Sequence, residues 1–410
     1  MRCIFTICAK NYLARARVLM DSVRRFEPDA RRLVVLSDRV DGLLDPAGED
    51  FEILEVERLP IVDLRALCFR YDIMELATAI KPTVLRHLLA DGGCAEAIYL
   101  DPDIQLYRPL DSVTQALRAG ATGALTPHAL RPLPPRQLVG NAVLQRAGAY
   151  NLGFVALTGA PEVQAALRWW EERLRHHCRR DQSAAGEFVD QKWMDFWPLL
   201  CPGTALLRDP GLNVAYWNLD QRPLRRRGEA WYAGEAPLTF LHFSGFNPGP
   251  PLLVSQHRRD LDEAGLGAGA ELFHGYAASL QRADLAGTQG WPYAFGQFRD
   301  GRPLPFVLRQ FHREVLEPCA GDPFDCPSDR FTELAGGSGA TEEPVTRLMA
   351  FLLERNEGVA RHFRLDEPLQ RAAYWRWFLA EAGTYFNLPR WLVDATASAR
   401  ASRAAGAATS

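Results

Sequence analysis

No stretch of this 410-residue chain approaches the ~20 consecutive apolar residues of a membrane-spanning helix. No secretory pattern opens it either. "MRCIFTICA" leads directly into what reads as a first core strand, so a cytoplasmic protein is expected. The eight cysteines contain no CxxC pair. They are scattered at Cys3, Cys8, Cys68, Cys94, Cys178, Cys201, Cys319 and Cys326, several within apolar runs where a reduced, buried thiol is the ordinary state. An excess of one charge is lacking too: 47 Lys and Arg against 50 Asp and Glu give a formal net charge of -3, with a pI near 6.3. That balance leaves no electrostatic footprint for nucleic acid. The short basic clusters "LRRRG" (Leu224 to Gly228) and "RHHCRRD" (Arg175 to Asp181) read as solvated faces. There is no internal repeat. What remains is a composition of 47% hydrophobic and 24% charged residues, that of a soluble globular protein. The length allows two or three domains.

The first half alternates strands with helices. "CIFTICA" (Cys3 to Ala9) and "RLVVLSD" (Arg32 to Asp38) are short apolar runs of the kind buried in parallel sheets, with "EILEV" (Glu52 to Val56) as a third. Between the first two, Leu13, Ala16, Leu19, Met20 and Val23 fall on one helical face. This strand–helix–strand order predicts a Rossmann-like α/β layer. Lys81-Pro82 divides one helix, "RYDIMELATAI", from the next, "PTVLRHLLADGG". "AIYL" (Ala97 to Leu100), "GALTPH", "YNLGFVALT" (Tyr150 to Thr158) and "TFLHF" read as further strands. A long helix is expected from about Glu162 to His176. From about Leu252 the texture becomes helices and loops. "GGSGATEEP" (Gly336 to Pro344) is a linker signal, Thr341 and Glu343 leading into the helix "VTRLMAFLLERN". Tyr374 to Leu392 reads as a helical hairpin, and the last residues as disordered.

The stretch that carries chemistry is "AIYLDPDIQLYRPL" (Ala97 to Leu110). Residues two apart on a strand point the same way, so Asp101 and Asp103 are expected side by side. Such carboxylates repel unless one is protonated or a cation lies between them. Ligands in open α/β sheets bind at the carboxyl ends of strands, and Mg²⁺ or Mn²⁺ is commonly shared by carboxylates and substrate phosphates. A metal–diphosphate site is the natural hypothesis, although a lone D-x-D is more often a solvated turn.

The segments "YLDPDI", "YNLGFVAL", "DQKWMDF" and "FLHFSG", in this order, resemble bacterial GT-A glycosyltransferases, nearest to glycosyltransferase family 8. The resemblance covers roughly residues 1 to 250. It implies a GT-A domain there, followed by a mainly helical accessory region (251 to 400) and a disordered tail (401 to 410). It implies that Asp101, Asp103 and His242 hold Mn²⁺ or Mg²⁺, with Asp101 also touching the nucleotide sugar. It places Ala9, Asn11 and Tyr12 near the nucleotide and Lys81, with Arg86 as rival, at the position of a family arginine. Asn151 and Gly153 match an Asn-x-Gly motif that meets the sugar. Asp190 and Gln191 match the "DQ" pair beside the anomeric carbon; the earlier Asp181-Gln182 lacks an apolar frame. Asn213 corresponds to an asparagine near the sugar, and Gly245 to the glycine after the metal-binding histidine. Tyr216 and Trp217 are candidates for stacking on an acceptor or for core packing. One departure stands out. The family's Lys-Pro-Trp, whose lysine binds the leaving diphosphate, is here "FNPGPP", with Pro248 at the lysine position and Ser244, Lys81 or backbone amides as replacements.

The expected activity is transfer of a sugar, with retention, from a nucleotide-diphosphate donor such as a UDP-sugar to a bacterial surface glycan or lipid-linked glycan. Trp375, Trp377, Phe378 and Trp391 read as a helical core. With Arg371, Arg376 and Arg390 they would alternatively suit peripheral attachment at the inner face of the membrane. Two other classes compete with this reading. A non-catalytic nucleotide-sugar or glycan-binding scaffold is supported only by the missing lysine. A sugar nucleotidyltransferase wants a glycine-rich basic loop, and "ICAKNYLARA" has no glycine.

Overall fold

The structure is a computed structural model that describes residues 1–133, 141–180, 186–249, 251–317, 321–325, 329–333 and 345–407. The linker at 336–344, the Asp181-Gln182 pair, Cys319 and Cys326 lie outside the described residues, as does part of the loop between Arg131 and Arg146. The chain forms two compact units: Met1–Val62 with Ile73–Ala294, and Asp63–Asp72 with Phe295–Ser410.

Among the described residues the first unit has twelve short strands: β1 (Arg2–Cys8), β2 (Arg31–Leu36), β3 (Glu52–Glu55), β4 (Glu96–Leu100), β5 (Ile104–Leu106), β6 (Gly123–Pro127), β7 (Tyr150–Thr158), β8 (Thr204–Leu206), β9 (Leu224–Arg227), β10 (Ala230–Ala233), β11 (Ala236–Pro237) and β12 (Phe240–His242). Seven of them make one sheet in the order β3-β2-β1-β4-β7-β6-β8. Only β7 runs against its neighbours. This is the α/β, Rossmann-like layer expected for a GT-A domain. The order turns back on itself at β1 and β4, so the carboxyl ends of these adjacent parallel strands open a crevice of the kind where α/β sheets bind ligands.

Both faces of the sheet are covered, which is why its strands read as unbroken apolar runs. The helix Leu13–Phe26 lays Leu13, Ala16, Leu19, Met20 and Val23 against Ile4, Val34, Ile98 and Phe154. The helices Lys81–Ala90 and Pro161–Leu174 bury Val84, Leu85, Val163, Leu167 and Trp170. Lys81-Pro82 does divide two helices, the first being Ile73–Ala79.

Residues 251–294 belong to this unit, not to the helical remainder. The helix Ala270–Arg282 buries Leu272, Phe273, Tyr276 and Leu280 in a cluster with Leu241, Phe243 and Phe246, and the Phe243 and Tyr276 rings stack at 3.8 Å. Their apolar periodicity needed the β12 loop as its partner.

The second unit is helical, as expected. Thr346 caps the helix Arg347–Glu354, its hydroxyl accepting from the Met349 N–H. Trp375 and Phe378 are buried in it with Arg371, which donates to the Leu365 carbonyl. The last helix, Arg390–Ala407, runs through most of the stretch expected to be a disordered tail. Its sequence is rich in alanine, the strongest helix former. Among the described residues no helix is long and apolar enough to cross a membrane. All six described cysteines are free thiols and buried.

Candidate active site

Strand β4 stops at Leu100, where its pairing with β7 ends. Asp101, Pro102 and Asp103 therefore do not share a strand face. They form a tight turn, with the Ile104 N–H on the Asp101 carbonyl at 3.0 Å, that redirects the chain into β5. β5 pairs antiparallel with β12, placing His242 opposite Ile104. The Phe243 N–H then bonds the Asp103 carbonyl at 2.8 Å. By this route His242 Nε2 comes within 3.5 Å of Asp101 Oδ2 and 3.2 Å of Asp103 Oδ1. One ligand atom from each of the three lies within 4.8 Å of the others. Two carboxylates and an imidazole form a donor set suited to Mn²⁺, and the carboxylates alone to Mg²⁺.

The electrostatics agree. Burial pushes the Asp103 carboxyl up, but His242 and then Arg15 more than offset this and hold it below the usual range. Burial pulls His242 down, and Asp103 with Asp101 outweighs that to raise it. Asp101 also accepts from the Tyr99 hydroxyl at 2.6 Å.

Around this cluster the polar side chains form one buried chain. His242 Nδ1 lies 3.4 Å from Asn213 Oδ1. Asn213 donates to Asn151 Oδ1 and Thr126 Oγ1, and Asn151 donates to Gln191 Oε1. Gln191 also accepts from the Leu152 N–H and donates to the Ala147 carbonyl, so its amide is fully engaged in holding the start of β7. Asn213 takes the left-handed conformation that asparagine tolerates. His128 joins through Asn151, and burial pushes it down to about 4, so it is neutral. Trp217 packs edge-on against His242 at 5.3 Å and is itself buried; half-buried Tyr216 faces the ring of His257 at 5.6 Å.

Gly153 has a reason other than approach of a sugar. A Cβ there would stand 2.5 Å from His242 Cε1 and 2.8 Å from Asn151 Oδ1, so glycine makes room for the histidine.

Lys81 is 1% exposed and Asp190 3%, and they pair at 2.5 Å. The ammonium also donates to the Leu152 carbonyl at 2.9 Å and sits 4.1 Å from the Tyr99 ring centroid. Burial raises the Asp190 carboxyl, with Lys81 opposing. Val189, just before it, has φ of 43°, a strained conformation for a β-branched residue. Arg86, the rival to Lys81, is paired with Glu171 instead.

Ala9 directly follows β1 and is buried; Tyr12 is 37% exposed, and the Asn11 side-chain oxygen is buried without a partner. Between them Lys10 is fully buried, bonded to Asp38 at 3.1 Å and Asp41 at 2.9 Å. Sequence reasoning missed Lys10 and Asp38, which tie the ends of β1 and β2 together. It also missed Tyr99, although alternation along "AIYL" puts it two residues before Asp101. The chain has only three lysines: Lys10 and Lys81, both sealed inside, and Lys192, which bonds Asp195 at 2.7 Å on the surface.

No family profile matches the chain. It is similar to the uncharacterized proteins YfnF and YfnD of Bacillus subtilis. YfnF is 24% identical over 252 residues, 59% of this chain and 80% of that protein. YfnD is 26% identical over 174 residues, 42% of this chain and 54% of that protein. Among solved structures, the galactosyltransferase LgtC in complex with donor and acceptor sugar analogs covers 68% of this chain and 96% of its own, at 17% identity and a TM-score of 0.41.

Proposed function

We propose that the chain is a metal-dependent glycosyltransferase that moves a sugar from a nucleotide diphosphate, a UDP-sugar, to a bacterial surface-glycan acceptor with retention of anomeric configuration. The observation that carries this reading is the convergence of Asp101, Asp103 and His242 at the carboxyl end of β4, in the sheet's crevice. Asp101, Asp103 and His242 would hold Mn²⁺ or Mg²⁺, which when bound supplies Lewis-acid stabilisation to the departing diphosphate.

The chain's own residues do the rest. Ala9, Asn11 and Tyr12 border the nucleotide at the end of β1, where the unpartnered Asn11 oxygen can accept a hydrogen bond from the base or ribose. Asn151 and Asn213 orient the histidine and face the sugar. Asp190 stands on the opposite side of the reacting carbon and stabilises the positive charge of an oxocarbenium-like transition state. Lys81 keeps it in place and Gln191 holds the strand beside it. Gly245 opens the loop toward the phosphates. The acceptor, a glycan or lipid-linked glycan, enters past Tyr216.

The test is a donor-hydrolysis screen of the purified protein against UDP-, GDP- and TDP-sugars, with and without Mn²⁺, reading released nucleotide. Metal-dependent release from a UDP-sugar is the expected result. If no donor is hydrolysed and UDP with Mn²⁺ does not bind, the enzyme reading is wrong.

A further inference from the structure

We propose that Arg15 and His257 together hold the diphosphate of the nucleotide donor, in place of the lysine that Pro248 replaces. The inference rests on the glycosyltransferase reading and assigns residues to its phosphate end.

The charges in the site leave a gap. Two carboxylates balance a divalent cation, and Lys81 is already neutralised by Asp190. None of these groups is left for the diphosphate, whose negative charge grows as the sugar departs. A preorganised donor or cation aimed at that growing charge is what such a step requires.

Arg15 lies in the first turn of the helix Leu13–Phe26. Side chains there lean back toward the helix start, which here is the loop after β1. Its guanidinium lies 4.2 Å over the Tyr12 ring. Arg17 and Arg24 on the same helix are paired with Glu49 and Asp21, whereas Arg15 makes no ion pair or hydrogen bond with any described residue. It is half-buried, and its charge is felt at Asp103. This is a cation without an ion-pair partner among the described residues, at the loop that follows β1.

His257 arrives from the other side. After His242 the chain makes a small hairpin, closed by reciprocal hydrogen bonds of 3.0 Å between Asn247 and Leu253. The Gln256 N–H then bonds the Gly245 carbonyl at 2.9 Å, and Ser255 Oγ the Ser244 carbonyl at 2.8 Å. The chain thus returns His257 to Gly245 so closely that a Cβ on this glycine would be 2.8 Å from the imidazole Cδ2 and 2.9 Å from Ser255 Oγ. Gly245 has φ of 72°, so both its conformation and its surroundings demand glycine. The Tyr216 ring supports the imidazole on its far side. An imidazole is therefore fixed beside Gly245, its Nε2 3.5 Å from the Gln256 amide nitrogen, so that the ring's other nitrogen can carry the proton offered to a phosphate.

The experiment is calorimetric titration of UDP, UMP and uridine, each with Mn²⁺, into wild type, Arg15→Gln, Arg15→Lys and His257→Gln, with thermal unfolding to confirm that each is folded. Wild type is expected to prefer UDP over UMP. Arg15→Gln and His257→Gln should each cut that preference about tenfold or more, the scale of a charge-assisted contact, while uridine affinity stays the same. Arg15→Lys should retain most of it. An unchanged UDP-to-UMP ratio in the folded glutamine variants overturns the assignment and leaves the glycosyltransferase reading intact. A wild type that binds none of the three overturns that reading, and this inference with it.

Discussion

Replacing Lys81 with Met tests the electrostatic core of the site. The ammonium and the Asp190 carboxylate are almost wholly removed from water and meet at 2.5 Å. Removing one partner of such a pair strands the other charge, at a cost of ~3–5 kcal/mol, far more than an exposed ion pair is worth. For a domain of 150–250 residues each kcal/mol lowers the melting temperature by about 2–4 °C, so the variant should melt roughly 6–20 °C below wild type. A double variant, Lys81→Met with Asp190→Asn, should recover most of the loss, because it no longer buries a charge.

The pH dependence gives a sharper discrimination. Burial already raises the Asp190 carboxyl with Lys81 present, and removing the ammonium raises it further. A carboxyl raised in the folded state binds its proton more readily than in the unfolded chain. Stability therefore falls as pH rises through that interval and is regained as pH falls. The deficit of Lys81→Met should be greatest at a mildly alkaline pH and smaller at a mildly acidic one. Urea unfolding followed by tryptophan fluorescence at both pH values measures it. A deficit below ~1 kcal/mol, or one of equal size at both pH values, would mean that Lys81 contributes packing only, and the reasoning fails.

Three further outcomes are expected. Asp103→Ala should abolish Mn²⁺-dependent binding of UDP while leaving the circular dichroism spectrum unchanged, and a chelator should do the same to wild type; Mn²⁺-dependent affinity surviving in the variant would remove Asp103 from the metal site. Gly153→Ala should displace His242, costing about 1–3 kcal/mol of stability through overpacking and weakening Mn²⁺ binding, as read by urea unfolding and metal titration. Phe243→Ala removes a ring stacked on Tyr276 in a dry cluster and should cost ~3–5 kcal/mol; a loss under ~1 kcal/mol would show that the helix Ala270–Arg282 does not depend on this contact.

The sheet was readable from the sequence because its strands are covered on both faces, so apolar runs such as "AIYL" and "YNLGFVALT" stand out without any need for alternation. Helix divisions were readable where a local rule acts, as at Lys81-Pro82. The meeting of Asp101 and Asp103 with His242 was readable only through the resemblance, since the β5–β12 pairing that joins them spans more than a hundred residues and leaves no local trace. The acids converge through a turn, not through strand alternation, and Gly153 also yields space to a histidine ring. Lys10 escaped notice because a lysine in an apolar loop signals nothing until Asp38 and Asp41 are seen beside it. His257 was invisible for the same reason: only the hairpin from Ser244 to Gln256 makes a residue so far along the chain a neighbour of Gly245.

The scarcity of lysine has a practical consequence. Of 47 basic residues only three carry an amine, and two of those are enclosed with carboxylates. Acylating, carbamylating or aldehyde reagents, and any modifying enzyme that works on side-chain amines, find one accessible target among the described side chains, Lys192, directly after Gln191. Because the α-amino group of the exposed Met1 reacts as well, a fluorophore delivered by amine chemistry above the lysine pKa, with the α-amine blocked first near neutral pH, would mark the side chain next to the proposed sugar site, and its emission could follow donor and acceptor binding.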